Sequence, residues 1–134
     1  MYHLDLANAY YENYVTNEVL PLFNGHNWYD LMTMIAGFVQ KNKGYFRRII
    51  SNGENDMFSG FLFDYGCNFY SSVCRKNRNC EEISQEDDLA IRFISSGGVY
   101  TIKKWVLNDC EIPLEKVVKC IVDLSPDIYS EYLE

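Results

Sequence analysis

The sequence predicts an all-α protein. Apolar side chains recur at helical spacings through most of the chain, no segment sustains a period of two, and prolines number only three in 134 residues. Hydrophobic residues make up 48% and aromatic residues 16%, enough at this length to fill one core without staples. A single domain over residues 1–134 is therefore expected, with no internal repeat and no low-complexity tract.

Six helices account for the pattern. The first is expected over Leu4–Leu22, where Leu6, Tyr10, Tyr14, Val19 and Leu22 share a face with Ala7 and Tyr11 beside them; Pro21 lies near its end and Asn24-Gly25 stops it. Asn27 caps the second, with Asp30 placed as in a capping box, and Trp28, Leu31, Met34, Ile35, Phe38 and Val39 carry it to about Lys41. Asn42 reads as the cap of a short helix over Lys43–Ser51 that Gly53 ends. Asn55 or Asp56 begins the fourth, an aromatic stretch holding Phe58, Phe61, Leu62, Tyr65, Phe69 and Val73, in which Gly60 and Gly66 favour a local kink. Arg75 to Ile83, with basic and acidic residues in turn, reads as a solvated loop. Ser84 caps the long fifth helix with Asp87 at its third position, and Asn108-Asp109 closes it. Pro113 suits the first position of the sixth, which presents Leu114, Val117, Val118, Ile121 and Leu124. Ser125-Pro126 then starts a short C-terminal turn, Asp127–Leu133.

The fifth helix is the most informative. Ala90, Ile94, Gly97, Thr101 and Trp105 fall on one face, and Ile91, Gly98, Ile102 and Val106 form the row beside it, a wider stripe than one internal core needs. The Gly97-Gly98 pair weakens the helix by roughly 1 kcal/mol per glycine relative to alanine. That cost makes sense where a second backbone passes close by. The last two long helices of two copies are therefore expected to form a four-helix dimer interface through Ala90, Ile94, Gly97, Gly98, Thr101, Ile102, Trp105, Val117, Val118 and Ile121.

Composition excludes several functions. A chain that neutralises phosphates carries surplus Lys and Arg, whereas this one has a net charge of −7. Five cysteines, with no CxxC pair and no signal peptide, argue against a disulfide framework and place the chain in the cytoplasm. No apolar run reaches the ~18 residues of a membrane span. The two histidines, His3 and His26, stand in no ExxH or HExxH arrangement, so carboxylate di-metal and zinc sites are not expected. Phosphate-cradling glycine motifs are absent as well, and Asp87-Asp88 is explained by the helix dipole beside it. The chain reads as a non-enzyme with no cofactor and no metal. What remains is an internal pocket among the large rings, with Tyr11, Trp28, Met34, Phe38, Phe58, Phe61 and Tyr65 as ligand-binding residues for a small apolar or aromatic effector. The competing reading is that these rings fill one another's space, which would make the chain a helical interaction or scaffold domain without a ligand.

The order of helices, and above all Phe93 to Leu124 (FISSGGVYTIKKWVLNDCEIPLEKVVKCIVDL), resembles the C-terminal domain of TetR-family transcription regulators, most of all the branch found in Firmicutes. The likeness rests on Phe93, Gly97-Gly98, Trp105, the polar link Asn108 to Ile112, the helix start Pro113-Leu114-Glu115 and the apolar run Val117 to Leu124. The stretch Phe38 to Ser51 is similar to another segment of that family, and Tyr2-His3 with Asp5-Leu6 is similar to the seam after its recognition helix. The resemblance implies a six-helix effector-binding and dimerisation domain whose partners are a second copy and a small effector. DNA would be reached only through an N-terminal helix-turn-helix that these residues lack. These 134 residues alone should therefore retain no duplex DNA in a low-salt shift assay, the condition that favours electrostatic binding most.

Overall fold

The computed structural model describes residues 28–131, and within them the side chains of all but residues 53–58 and 61. The helix expected over Leu4–Leu22, the cap at Asn27 and the final three residues lie outside the described residues. Six α-helices occur among those described: α1 (Trp28–Lys41), α2 (Lys43–Ile49), α3 (Asn55–Arg78), α4 (Gln85–Leu107), α5 (Leu114–Leu124) and α6 (Asp127–Ser130). A π-helical turn, Ile50–Glu54, joins α2 to α3. The all-α expectation holds.

Helix α1 contributes much of the core. Leu31, Met32, Ala36, Phe38 and Val39 are buried and Met34 and Ile35 half-buried, so that only Tyr29, Asp30 and Lys41, near its two ends, are exposed. Such a helix, apolar nearly all round, is stable only when enclosed. Helix α5 lies along it, α4 lies along α3, and α6 docks on α3.

The helix ends show where local chemistry overrides simple patterning. Gly53 does not stop α2, because the chain passes through the π turn straight into α3. Asn42 precedes α2 without capping it; its amide instead donates to the Phe38 carbonyl at 2.9 Å and closes α1. Helix α3 is one 24-residue helix, with the irregularity falling before it and not at Gly60 or Gly66. The expected loop at Arg75 is helical to Arg78. Cations in a last turn favour the helix dipole, and Arg75 Nε donates to the Glu81 carbonyl at 2.9 Å. The stop comes at Asn79, whose φ of 52° closes a Schellman motif, with Cys80 N donating to Arg75 O and Asn79 N to Lys76 O. Helix α4 ends the same way at Asp109, with φ of 61° and the pairs Cys110 N to Trp105 O and Asp109 N to Val106 O. Pro113 sits at the N-cap of α5, one position ahead of its expected place.

Two buried polar chains fix the helices to one another. Trp28 Nε1 donates to the Tyr70 hydroxyl at 3.1 Å, Tyr70 lies 2.9 Å from Ser125 Oγ, and Ser125 donates to the Ile121 carbonyl at 2.8 Å. Because the Ser125 proton is committed to Ile121, the Tyr70 proton must point to Ser125, so the relay has one direction from α1 through α3 to α5. The second chain centres on Asp87. Its backbone N–H donates to Ser84 Oγ at 3.1 Å, which is the expected cap. Its carboxylate does not return to the Ser84 N–H; it accepts from Arg78 Nε at 2.6 Å, Arg78 Nη2 at 2.8 Å and the Tyr129 hydroxyl at 2.6 Å. One carboxylate thus ties α3, α4 and α6 together. Asn77 reinforces the tie by donating to the Ile128 carbonyl at 3.3 Å and to that of Glu131.

Helices α3 and α4 approach closely at Gly66. A Cβ placed there would come within 3.2 Å of Ser95 Oγ, a buried hydroxyl that has no hydrogen-bond partner among the described residues. A buried hydroxyl without a partner is destabilising by roughly 1–3 kcal/mol. Ser95→Ala should therefore raise stability by about 1 kcal/mol in a denaturant titration. Gly66→Ala should gain more in that background than in the wild type, because the hydroxyl that crowds the new methyl group has gone; additivity of the two changes would refute the close contact.

The Asp87 tie makes a second, pH-dependent prediction. The Tyr129 hydroxyl, then the Arg78 guanidinium, hold the Asp87 carboxyl below the usual carboxylate range against the opposing effect of burial. A lowered folded-state value means stability that is present above the unfolded value of about 3.9 and lost as pH falls through the folded one. Tyr129→Phe should lower stability by about 1.5 kcal/mol at pH 7, the order of a hydrogen bond to a charged group. The gap should close as melting is followed to pH values below about 4. A gap that stays constant into acid would show that Asp87 does not carry it.

Candidate functional site

The rings expected to line a ligand pocket are only partly brought together. Tyr11 lies outside the described residues, and the side chains of Phe58 and Phe61 do as well, although both residues belong to α3. Trp28 is buried, stacked on Phe69 with centroids 4.0 Å apart and edge-on to Tyr70 at 5.4 Å. Phe38 is also buried and sits edge-on to Phe46 at 6.0 Å. These two occupy opposite ends of α1, separated by about 15 Å of helix rise, so they cannot be adjacent walls of one compact pocket. Each fills core space beside aromatic neighbours. Met34 and Tyr65 are half-buried against the core, as are Ile35 and Leu62. Those four, on α1 and α3, are among the apolar side chains that keep surface to offer.

Helix α4 carries the second set. Ile102 and Trp105 on α4, and Val117, Val118 and Ile121 on α5, are buried in the protomer's own core. Side chains with almost no exposed surface cannot line an interface unless the fold opens, so these five are internal packing residues. Trp105 has a further internal duty: its Nε1 donates to the Ile112 carbonyl at 2.7 Å and pins the α4–α5 link. Ala90, Ile94 and Thr101 are half-buried flank positions, and Thr101 Oγ1 donates back to Gly97 O at 2.8 Å. Gly97 and Gly98 differ from the rest. A Cβ built on either would meet nothing within 4 Å, so neither glycine is required by packing among the described residues.

The apolar surface that remains open lies on the side of α4 opposite its core face. Leu89 is 68% exposed, Phe93 82%, Tyr100 66% and Leu107 40%, and their spacing keeps them in one stripe with Ser96, Gly97 and Lys104. Leu124 at the end of α5 and Ile112 in the link are exposed too. The spacing of Leu89, Phe93, Tyr100 and Leu107 is itself a helical row in the sequence, whereas the row of Ile91, Ile102 and Val106 and the neighbouring Trp105 belong to the core.

The link between α4 and α5 is held as firmly as the helices. Asp109 and Cys110 both adopt positive φ, at 61° and 53°, which non-glycine residues rarely do. Lys43 Nζ and Arg47 Nη1 each lie 3.2 Å from Asp109 Oδ1, and Lys43 also donates to the Asp109 carbonyl. Burial pushes the Cys110 thiol up from its ordinary value, which keeps it protonated and unreactive.

Among the described residues no group of His, Cys, Asp and Glu gathers as metal ligands, and no helix is long and apolar enough to cross a membrane. The arrangement offers an exposed apolar stripe on α4 and, separately, half-buried apolar side chains on α1 and α3. No curated protein and no solved structure matches the chain. Residues 26–127 match the family model of the TetR-type transcriptional regulator C-terminal region, a span covering α1 to α5 and the start of α6. The chain therefore belongs to the family of transcriptional regulator C-terminal regions of the TetR type.

Proposed function

We propose that these residues form the effector-binding and dimerisation domain of a ligand-gated transcription regulator of the Firmicutes type, working in the cytoplasm as a homodimer. DNA reading, on this account, belongs to a helix-turn-helix outside the 134 residues. The observation that carries the reading is α4, a helix apolar on two opposite faces of which the fold covers one. A large exposed apolar stripe on a charged protein marks an interaction surface, and a homodimer needs only one such self-complementary patch. The revised interface uses Leu89, Phe93, Gly97, Tyr100 and Leu107, with Leu124 of α5 beside them, in place of the buried residues.

The effector is a small, largely apolar or aromatic molecule held against Met34, Ile35, Leu62 and Tyr65, where α1 and α3 keep apolar surface. A ligand that prefers one position of α1 shifts the population of that position, by its difference in affinity for the two states. The Trp28–Tyr70–Ser125 relay joins the start of α1 to the end of α5 and supplies a physical link between effector region and dimer helices. A ligand-free interaction domain is the second reading. It is favoured by the dense packing of Trp28 and Phe38, which shows that some of the aromatic content is core.

Thermal shift against a metabolite library separates the two. A ligand at a hundred times its dissociation constant adds about 2.7 kcal/mol to the folded state. The gain should fall sharply in Met34→Ala and in Tyr65→Ala, whereas Trp28 is too embedded to serve as a probe. A library without hits would favour the interaction domain, and hits indifferent to both variants would move the pocket elsewhere. Light scattering tests the other half: the chain should be dimeric at tens of micromolar and Phe93→Glu monomeric, with the far-ultraviolet circular dichroism of both alike.

A further inference from the structure

The exposed face of α4 specifies how a second copy sits on it. We propose that two α4 helices cross antiparallel about Ser96-Gly97, so that Phe93 of each faces Tyr100 of the other and Glu86 of each pairs with Lys104 of the other. The proposal rests on the dimer reading above and adds the register and the pairing partners to it.

Three observations converge on this arrangement. Gly97 and Gly98 weaken α4, yet among the described residues no side chain needs the space they leave. Their use is explained if a backbone or ring from outside approaches there. The stripe is also nearly symmetric about that point: Phe93 and Tyr100 stand at equal distances on either side of Ser96-Gly97, as do Leu89 and Lys104. A two-fold contact requires such self-complementarity, since each residue meets its counterpart twice. In this register the aliphatic stem of Lys104 covers Leu89 of the partner subunit, and its ammonium reaches Glu86 one turn further on.

Charge then selects the direction. The first turn of α4 is acidic, with Glu86, Asp87 and Asp88, and its end is basic, with Lys103 and Lys104. Asp87 is taken up by Arg78 and Tyr129, and Asp88 by Arg92 at 3.0 Å, so Glu86 is the acid left to face a partner. Glu86 lies on the same flank of the stripe as Lys104, and antiparallel helices bring matching flanks together. Parallel packing would instead set acid against acid and base against base, with the helix dipoles aligned unfavourably.

Charge reversal on the full chain tests the register, read by sedimentation equilibrium and by mixing labelled variants. Glu86→Lys and Lys104→Glu should each weaken the homodimer about tenfold, because two symmetric pairs become repulsive at once. The two variants mixed should pair with each other in preference to themselves, and the double variant Glu86→Lys/Lys104→Glu should regain wild-type affinity. Gly97→Leu should weaken the dimer while leaving the folded protomer intact by circular dichroism. A wild-type dimer indifferent to the reversals, or one whose two single variants do not prefer each other, overturns the register and leaves the dimer standing. A wild-type monomer overturns both, and binding to lipid vesicles or to another protein through a stripe that never self-associates would do the same.

Discussion

The described helices depend most on α4, which is apolar on two opposite sides and therefore cannot be satisfied by one core. Its inner face, through Ile91, Ile102, Trp105 and Val106, is buried. The hydrophobic effect fixes that side. The outer stripe remains, and its aromatic residues stand in water at a free-energy cost that scales with the area left exposed. The other elements can be understood as devices that hold α4 rigid: its start is bolted by Asp87, its end is closed by a Schellman motif, and its exit is pinned by Trp105 to Ile112 O.

Asp87 shows how one residue serves several levels. Its position, three after Ser84, is that of a capping residue, and its backbone does engage the cap. Its side chain was free to leave because the first turn of α4 holds other acids that favour the helix dipole. The carboxylate bridges instead to α3 and α6. Arg78, half exposed, allows the pair to form without stranding a second charge in the interior, which is where buried ion pairs become unfavourable. The tie also makes the short α6 dependent on tertiary contacts, since four residues are far too few to hold a helix by themselves.

The all-α class, the end of α1, the bounds of α4 and the Ser84 cap could be read from the sequence because they depend on local signals: periodicity, caps and stops. What could not be read depends on partners distant in sequence. Arg75 to Arg78 looks like a loop until Glu81 and Asp87 fold back to meet it. Asn42 looks like a cap until its amide turns to Phe38. The site was legible in kind more than in place. Helical spacing identifies the rows of α4, but periodicity alone does not say which row faces inward, and Ile102 and Trp105 were assigned to the outside on the strength of hydrophobicity. In the aromatic set, Trp28 and Phe38 share a helix with Met34, yet the first two are enclosed by Phe69 and Phe46, contacts that no local pattern encodes.

The distribution of glycines separates packing inside the protomer from packing outside it. Gly66 is needed internally, because Ser95 fills the space a methyl group would take. Gly97 and Gly98, on the neighbouring helix, meet no such neighbour among the described residues. Three glycines that look alike in sequence thus answer different demands: Gly66 lets α3 and α4 approach within a chain, and the Gly97-Gly98 pair weakens α4 with no return among the described residues. A stable helix core so close to its solvent-facing weak point is a poor design for an isolated protomer and a sound one for a helix completed by a partner. If so, the energy lost in each protomer is recovered on association, and the stability of the domain becomes linked to its own concentration. For a regulator of the kind proposed, that linkage would place control of assembly and control of α1 on the same helical frame, joined at α5 by the Ser125 end of the buried relay.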